Sequence, residues 1–465
     1  MDLTHDGLQQ AAHDHLLMHF TANGAFGPDA KELVVLERAE GCHLTDTRGR
    51  RYVDGLSNLF CCQLGYSYGD EMAAVASEQL RRLPFNTNWA SAHPAAIELA
   101  ERVAGIAPDG MEHVFFTGGG SESVESAWKL VRHYHLANGE PQRRKAIARR
   151  TAYHGVTLGA LSFTGVDSFK EPFGPPAIPT RHVSNTNPYR SPEQGPELTR
   201  KLLDELEQAV LAEGPETVAM IIAEPIQNAG GCFVPPKGYW QGLREIADRH
   251  GILLVADEVI SGFGRVGEFF AVSRYGGQPD LITCAKGLTA AYAPMGAVVV
   301  SERVAAPLHE ADRPLLHGIT FAGHPLSAAI ALKAIEIYER DAVLENVHAL
   351  SGHLQSRVEE LRALPIVGDV RGDGFFWAVE MVQDADGTRF SDADKRRLVK
   401  GFMPGALAEA GLIARADDRQ DAVVQLAPPL VADADVLNEI VDKLAGVLEG
   451  AGREMGVTAD AAQVA

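Results

Sequence analysis

The sequence predicts an α/β protein: a mostly parallel sheet covered by helices, followed by a second, smaller α/β domain. Two observations predict it. From about residue 71 helical patterns alternate with short apolar runs (71–83, 95–104, 114–116, 123–135, 218–223, 239–250, 252–259, 281–285 and 297–300), the alternation expected of parallel strands with helices on the sheet faces. From Pro325 a new helical series (326–340, 342–364) leads into strand-like segments at 375–382 and 423–426, which read as a separate small domain.

Residues 9–20 read as a helix with a His-rich face. His15 and His19 stand four apart and could ligate a metal, but no third ligand is near and packing is the better reading. Residues 42–59 read as short strands around the turn Thr47-Arg48-Gly49-Arg50. The stretch 165–196, rich in Pro, Asn and Ser, exceeds an ordinary connection and reads as a site-shaping loop or lid. The tail from Gly450, small and polar, is expected to fray, and no internal repeat is visible.

Composition narrows the function. The chain has 465 residues, 46% of them hydrophobic, enough for a large core. Its net charge of −20 disfavours nucleic acid and anionic membrane surfaces, leaving small molecules as partners. No apolar stretch approaches the roughly 20 residues of a membrane span, and Asp2, His5 and Asp6 do not make an export signal, so a cytoplasmic protein is expected. Five cysteines (Cys42, Cys61, Cys62, Cys232, Cys284), odd in number and without metal-ligand spacing, point to reduced thiols, with Cys61-Cys62 as core filler.

Four motifs carry chemistry. The apolar run 253–260 includes Asp257, and a second run ends at Ala285-Lys286-Gly287. An amine nucleophile must be desolvated to be neutral near pH 7, and a protonated pyridine needs an anionic partner, so Lys286 and Asp257 suit a Schiff base and a ring-nitrogen acid. Taken alone, a solvated lysine and an acid before the glycine turn Ser261-Gly262-Phe263-Gly264 explain them equally well. Thr117-Gly118-Gly119-Gly120-Ser121-Glu122 opens a helix; its backbone amides and the Ser121 hydroxyl can hold a phosphate, although a glycine turn for tight packing is the commoner use. It is neither a Walker loop nor a dinucleotide fingerprint. Tyr153-His154-Gly155 offers a stacking ring. All four lie near predicted strand ends, where open α/β sheets bind ligands, and together they favour one shared cofactor.

In these motifs the chain resembles the class III pyridoxal-phosphate-dependent aminotransferases, most closely the ω-amino acid or amine:pyruvate branch. The resemblance runs from the 46–54 segment to Leu426-Ala427-Pro428-Pro429-Leu430 and includes Glu224-Pro225-Ile226-Gln227, Gly264-Arg265 and Thr320-Phe321-Ala322-Gly323-His324-Pro325. It implies fold type I, aspartate-aminotransferase-like, with 1–70 and 326–465 forming the small domain and 71–325 the large one. It implies pyridoxal 5′-phosphate as cofactor, with Lys286 as Schiff-base lysine and proton shuttle and Asp257 on the pyridine nitrogen. Tyr153 and Val259 sandwich the ring, with His154 beside it, and Gly120 and Ser121 hold the phosphate. Glu224 stands at the hydroxyl side, and Thr320 is the phosphate ligand lent by the neighbouring subunit, which makes the protein a homodimer. Arg415 matches the mobile arginine that takes the acceptor's carboxylate, its planar fork being suited to a bidentate carboxylate.

The phosphate motif departs from the family in having Gly118 and Gly119 where Asn-Ser is usual, which predicts weaker cofactor binding. Leu59, Phe60, Phe85 and Trp89 are expected to wall the substrate pocket, with core packing the alternative for Phe85 and Trp89; Phe60 replaces a frequent tryptophan and favours bulky or apolar amines. The expected reaction is ping-pong transfer from a primary amine or ω-amino acid to a 2-oxo acid, pyruvate. A lyase, decarboxylase, aminomutase or epimerase could use the same lysine and acid. A non-catalytic regulator would need a DNA-binding module, and none is visible.

Overall fold

The computed structural model describes residues 4–27, 31–310 and 314–458. Its centre is a seven-stranded sheet in the spatial order Met111–Thr117, Gly296–Ser301, Leu281–Cys284, Leu253–Asp257, Val218–Ala223, Lys145–Arg149, Thr180–Val183. Six strands run one way, and Gly296–Ser301 is antiparallel to both its neighbours. Every residue of Val218–Ala223 and Leu253–Asp257 is buried, because helices cover both faces, and this is why those segments read as unbroken apolar runs.

The covering helices carry apolar stripes at helical spacing. Gly195–Glu213 buries Leu198, Leu202, Leu206, Ala209 and Val210. Tyr239–His250 buries Trp240, Leu243, Ile246 and Ala247 and is stopped by Gly251 in the left-handed conformation.

Both chain ends meet beyond this sheet. Leu36–Glu40, His43–Asp46 and Arg51–Asp54 form an antiparallel ladder to which Leu412–Ile413 adds in parallel. Val367–Asp373, Phe376–Met381, Ala422–Leu426 and Arg415–Asp417 form a second, wholly antiparallel sheet. Arg265 joins the three regions. Fully buried, it donates to the carbonyls of Pro428 (2.6 Å) and Phe375 (3.3 Å) and to the Ser57 hydroxyl (3.0 Å).

Three expectations are corrected. The first helix is His5–His15, capped by Thr4, so His19 lies beyond its end and shares no helical face with His15. The 165–196 stretch is not one irregular loop: it holds the short helical turns Asp167–Lys170 and Glu171–Phe173 and the edge strand Thr180–Val183. An edge strand of four residues, three of them polar, has no apolar run to announce it. The chain does not fray at Gly450, because the helix Ala434–Met455 continues through it, burying Ala451 and Gly452 in line with Leu437, Ile440, Val441, Leu444, Val447 and Leu448. Residues 459–465 of the expected tail lie outside the described residues. All five cysteines are free thiols, and Cys61 alone is not fully buried.

Replacing Arg265 by leucine leaves two buried carbonyls unpaired, at about 1–3 kcal/mol each, while the Ser57 hydroxyl keeps its bond to the Ala427 carbonyl. The Arg265→Leu unfolding midpoint in urea should fall by the equivalent of at least ~2 kcal/mol, with Arg265→Lys intermediate.

Candidate active site

Five strand ends open on the same edge of the large sheet, and one cavity gathers the residues just beyond them: Gly120 and Ser121, Tyr153 to Gly155, Glu224, Asp257 and Lys286. Asp257 ends its strand buried, and three donors fix its carboxylate. His154 Nδ1 lies 2.7 Å from Oδ2, and the Thr283 hydroxyl (3.0 Å) and the Val259 amide (3.2 Å) donate to Oδ1. A carboxylate only accepts, so Nδ1 carries the proton. His154 Nε2 is left buried without a partner.

Lys286 follows the strand Leu281–Cys284 in a short turn, with φ at 31°, a strained value for a side-chain-bearing residue. Its Nζ forms no hydrogen bond or ion pair with any described residue. Burial pushes its ammonium pKa below the ordinary lysine value, against the pull of Cys61 and Asp257. Burial likewise raises the Glu224 carboxyl, opposed by His154 and Arg149. Glu224 is not idle: its Oε2 accepts from the Asn228 amide at 2.8 Å and its Oε1 from the Tyr153 amide at 3.3 Å.

The opposite wall is the start of the long helix Gly120–Ala137, whose first amides are free of intrahelical partners and carry the positive end of its dipole. A Cβ on Gly120 would sit 2.7 Å from Val259 Cγ1, and one on Gly155, whose φ is 111°, would sit 2.3 Å from Ser121 Oγ. Gly118, at the position of the departure, donates its amide to Glu122 Oε2 at 2.7 Å, so a side-chain acceptor has been recruited where the usual motif offers a donor.

Arg415 does not line the cavity directly but stands beside it, on the strand Arg415–Asp417, close enough to act electrostatically on Lys286 and Tyr153. Its guanidinium has no hydrogen bond or ion pair among the described residues. Burial, then Arg419, brings its pKa down to about 10, which leaves it charged at neutral pH.

None of the four expected pocket-wall residues lines this cavity within one chain. Phe60 is buried in the core, edge-on to Phe376. Leu59 is 53% exposed, and Phe85 and Trp89 lie against the loop bearing Thr320 instead: Phe85 packs on Phe321, and Trp89 borders Gly318. Thr320 is exposed and does not line the cavity of its own chain. Residues not singled out from the sequence also contribute: Ile226, Ile260 and Ser261 line the cavity, and Cys61 faces Lys286 electrostatically. Glu224-Pro225-Ile226-Gln227 offered a signal for Ile226; Cys61, read as filler, offered none.

The residues fit pyridoxal phosphate. An unpartnered amine, a buried oriented carboxylate and a helix N-terminus whose glycine leaves no room for a side chain converge on one cavity. Fold and cavity thus define an α/β enzyme of the pyridoxal-phosphate-dependent kind.

Residues 26–448 match the family model described as aminotransferase class-III. A probable aminotransferase of Mycobacterium tuberculosis is 44% identical over 95% of this chain and 94% of its own length. Putrescine–pyruvate aminotransferase of Pseudomonas aeruginosa is 38% identical over 93% and 94%. Among solved structures, a thermostable (S)-enantioselective omega-transaminase from Thermomicrobium roseum superposes with a TM-score of 0.91 at 37% identity, covering 96% of this chain and 98% of that one. The PMP-bound aminotransferase from Vibrio fluvialis gives 0.89 at 32%, with coverage of 96% and 98%. The chain belongs to the class III aminotransferases, enzymes that use pyridoxal phosphate.

Gly120→Ala should displace Val259 and the helix start, raising the cofactor dissociation constant at least about tenfold, some 1.4 kcal/mol. Equilibrium dialysis reads this, with far-UV circular dichroism to show an unchanged fold.

Proposed function

We propose that this aminotransferase moves the amino group of a primary amine or ω-amino acid to pyruvate in two half-reactions that share one site. The observation that carries the reading is an unpartnered amine, Lys286, with an unpartnered guanidinium, Arg415, close beside its cavity. When bound, pyridoxal phosphate supplies the carbonyl that receives the amino group and a pyridinium ring that withdraws electrons from the donor carbon.

The chain's own residues divide the remaining tasks. Lys286, its neutral form favoured by burial, takes the proton from the donor carbon and returns it on the cofactor side. Asp257, held by His154 and Thr283, keeps the ring nitrogen protonated, and His154 acts as a positioning residue. Tyr153 and Val259 would hold the ring between them, and Gly120 and Ser121 would hold the phosphate through the helix start, since all four line the cavity. Glu224, in the same lining, would serve the ring's hydroxyl. Arg415 binds the acceptor's carboxylate and can turn away when an amine without one occupies the site.

The working unit we propose is a homodimer. Leu59, Phe85, Trp89, Leu316 and Phe321 are large apolar side chains exposed on a single chain, more surface than scattered exposure explains, and Phe85, Trp89 and Phe321 surround the loop with Thr320. In the dimer Thr320 of the partner subunit completes the phosphate site, and Phe85 and Trp89 reach the substrate from across the interface. The putrescine–pyruvate relative supports pyruvate as acceptor. Shared strands between the two chain ends support a small domain built from 1–70 and 326–465 around 71–325. Among the described residues no helix is long and apolar enough to cross a membrane.

The purified enzyme's violet absorbance should bleach on adding donor amine alone and return on adding pyruvate; a band that never changes, or amine consumed without bleaching, overturns transamination. Lys286→Ala should lower turnover by at least ~10²-fold while still binding cofactor, consistent with loss of a proton-transfer group. Arg415→Leu should raise KM for pyruvate ~10–100-fold and leave the donor half-reaction with a carboxylate-free amine within about twofold, as loss of a charge-assisted hydrogen bond of about 1.5–3 kcal/mol predicts.

A further inference from the structure

The hairpin beside the cavity carries two guanidinium groups, and they are in opposite states. Arg415 has no partner. Arg419, four residues on, is fully engaged: its Nε lies 2.8 and 2.9 Å from the two oxygens of Asp417, Nη2 donates to the same carboxylate, and its backbone amide donates to Oδ1 at 2.9 Å. The pair is dry, with side-chain exposures of 5% and 1%. Arg419 also lies over the Tyr153 ring, 6.0 Å from its centroid, so it borders the same cavity wall.

The turn that presents Arg419 is anchored on both sides. Gln420 Oε1 accepts from the Thr151 hydroxyl (3.0 Å) and the Asn185 amide (2.7 Å), and Lys395 Nζ donates to the Gln420 carbonyl (3.0 Å). Arg389 holds the next residue, Asp421, at 2.7 Å. The Asp417–Arg419 pair therefore cannot swing out with a floppy loop, and a bidentate pair in a water-poor setting does not exchange partners without leaving a buried charge uncompensated.

We infer that Asp417 and Arg419 form a charge plug that restricts the acceptor to 2-oxo acids with a single carboxylate. With Arg419 neutralised, Arg415 is the one free cation among the described residues of this wall. A 2-oxo acid with one carboxylate matches it. A dicarboxylic 2-oxo acid brings a second carboxylate that finds no free cation on this wall, because the Arg419 guanidinium beside Tyr153 is already held by Asp417. This inference deepens the proposed acceptor class and rests on that reading.

Asp417→Asn removes the plug's charge and frees the guanidinium fork. In wild-type holoenzyme, calorimetric titration with the unreactive probes propionate and glutarate should show propionate at least tenfold tighter. In Asp417→Asn, glutarate should gain at least tenfold relative to propionate, and the kcat/KM ratio of 2-oxoglutarate to pyruvate should rise by a similar factor. Asp417→Asn/Arg419→Gln, a neutral pair, should abolish the gain, which a merely structural role for Asp417 would not predict. A folded Asp417→Asn enzyme with an unchanged probe ratio overturns the inference. If that variant does not fold, the wild-type ratio decides: equal binding of the two probes overturns the inference, and a tenfold preference for propionate supports it. A wild-type enzyme that uses 2-oxoglutarate in place of pyruvate overturns both this inference and the proposed acceptor. Pyruvate use with an unmoved probe ratio in Asp417→Asn overturns this inference alone.

Discussion

A buried carboxyl group is costly unless hydrogen bonds hold it, and the site is organised around meeting that condition at Asp257. The strand Leu253–Asp257 delivers the acid to the sheet edge with its backbone already paired on both sides. Other strands of the sheet then supply what it needs: Thr283 from the adjacent strand Leu281–Cys284 and His154 from the segment after Lys145–Arg149, two places away on the other side. Because the donors come from different strands, the acid's orientation is a property of sheet register. A one-residue slip in the Asp257–Thr283 pairing would turn one of the two away.

The same edge sorts the charged groups by whether they are satisfied. Asp257 and Arg419 are held by several hydrogen bonds, whereas the Lys286 amine and the Arg415 guanidinium have none among the described residues. Bonded groups thus fix the walls, and one amine and one guanidinium are left without a partner in or beside the cavity. The strained φ of Lys286 belongs with this division, since the surrounding turn fixes a backbone the residue would not choose alone.

Much of this was legible in the chain. Strands buried on both faces show as continuous apolar runs, so Asp257 and Lys286 stood out as charges where none was expected, and the glycines at 118–120 marked a strand-to-helix turn. What was not legible depends on partners distant in sequence. Gly296–Ser301 has the composition of its parallel neighbours, and nothing local records its reversed direction. Phe60 reads as an aromatic near a motif, and its place in the core is decided by Phe376, more than three hundred residues away. Phe85 and Trp89 read as pocket or core side chains, and their exposure against Phe321 and Gly318 is not recorded in the local sequence. The pairing of Arg419 with Asp417 looks in sequence like any charged turn, because spacing cannot distinguish a solvated fork from a buried one.

The close approach of Ser121 to Gly155 has a bearing on how this enzyme can change over generations. The Ser121 side chain and backbone fill the space a Cβ at 155 would need, and the φ of 111° there is strained for any side chain whatever the space, so 155 is held as glycine. Change is therefore confined to one member of the pair. A lineage can vary the side chain at 121 only around an invariant 155, although the two lie more than thirty residues apart.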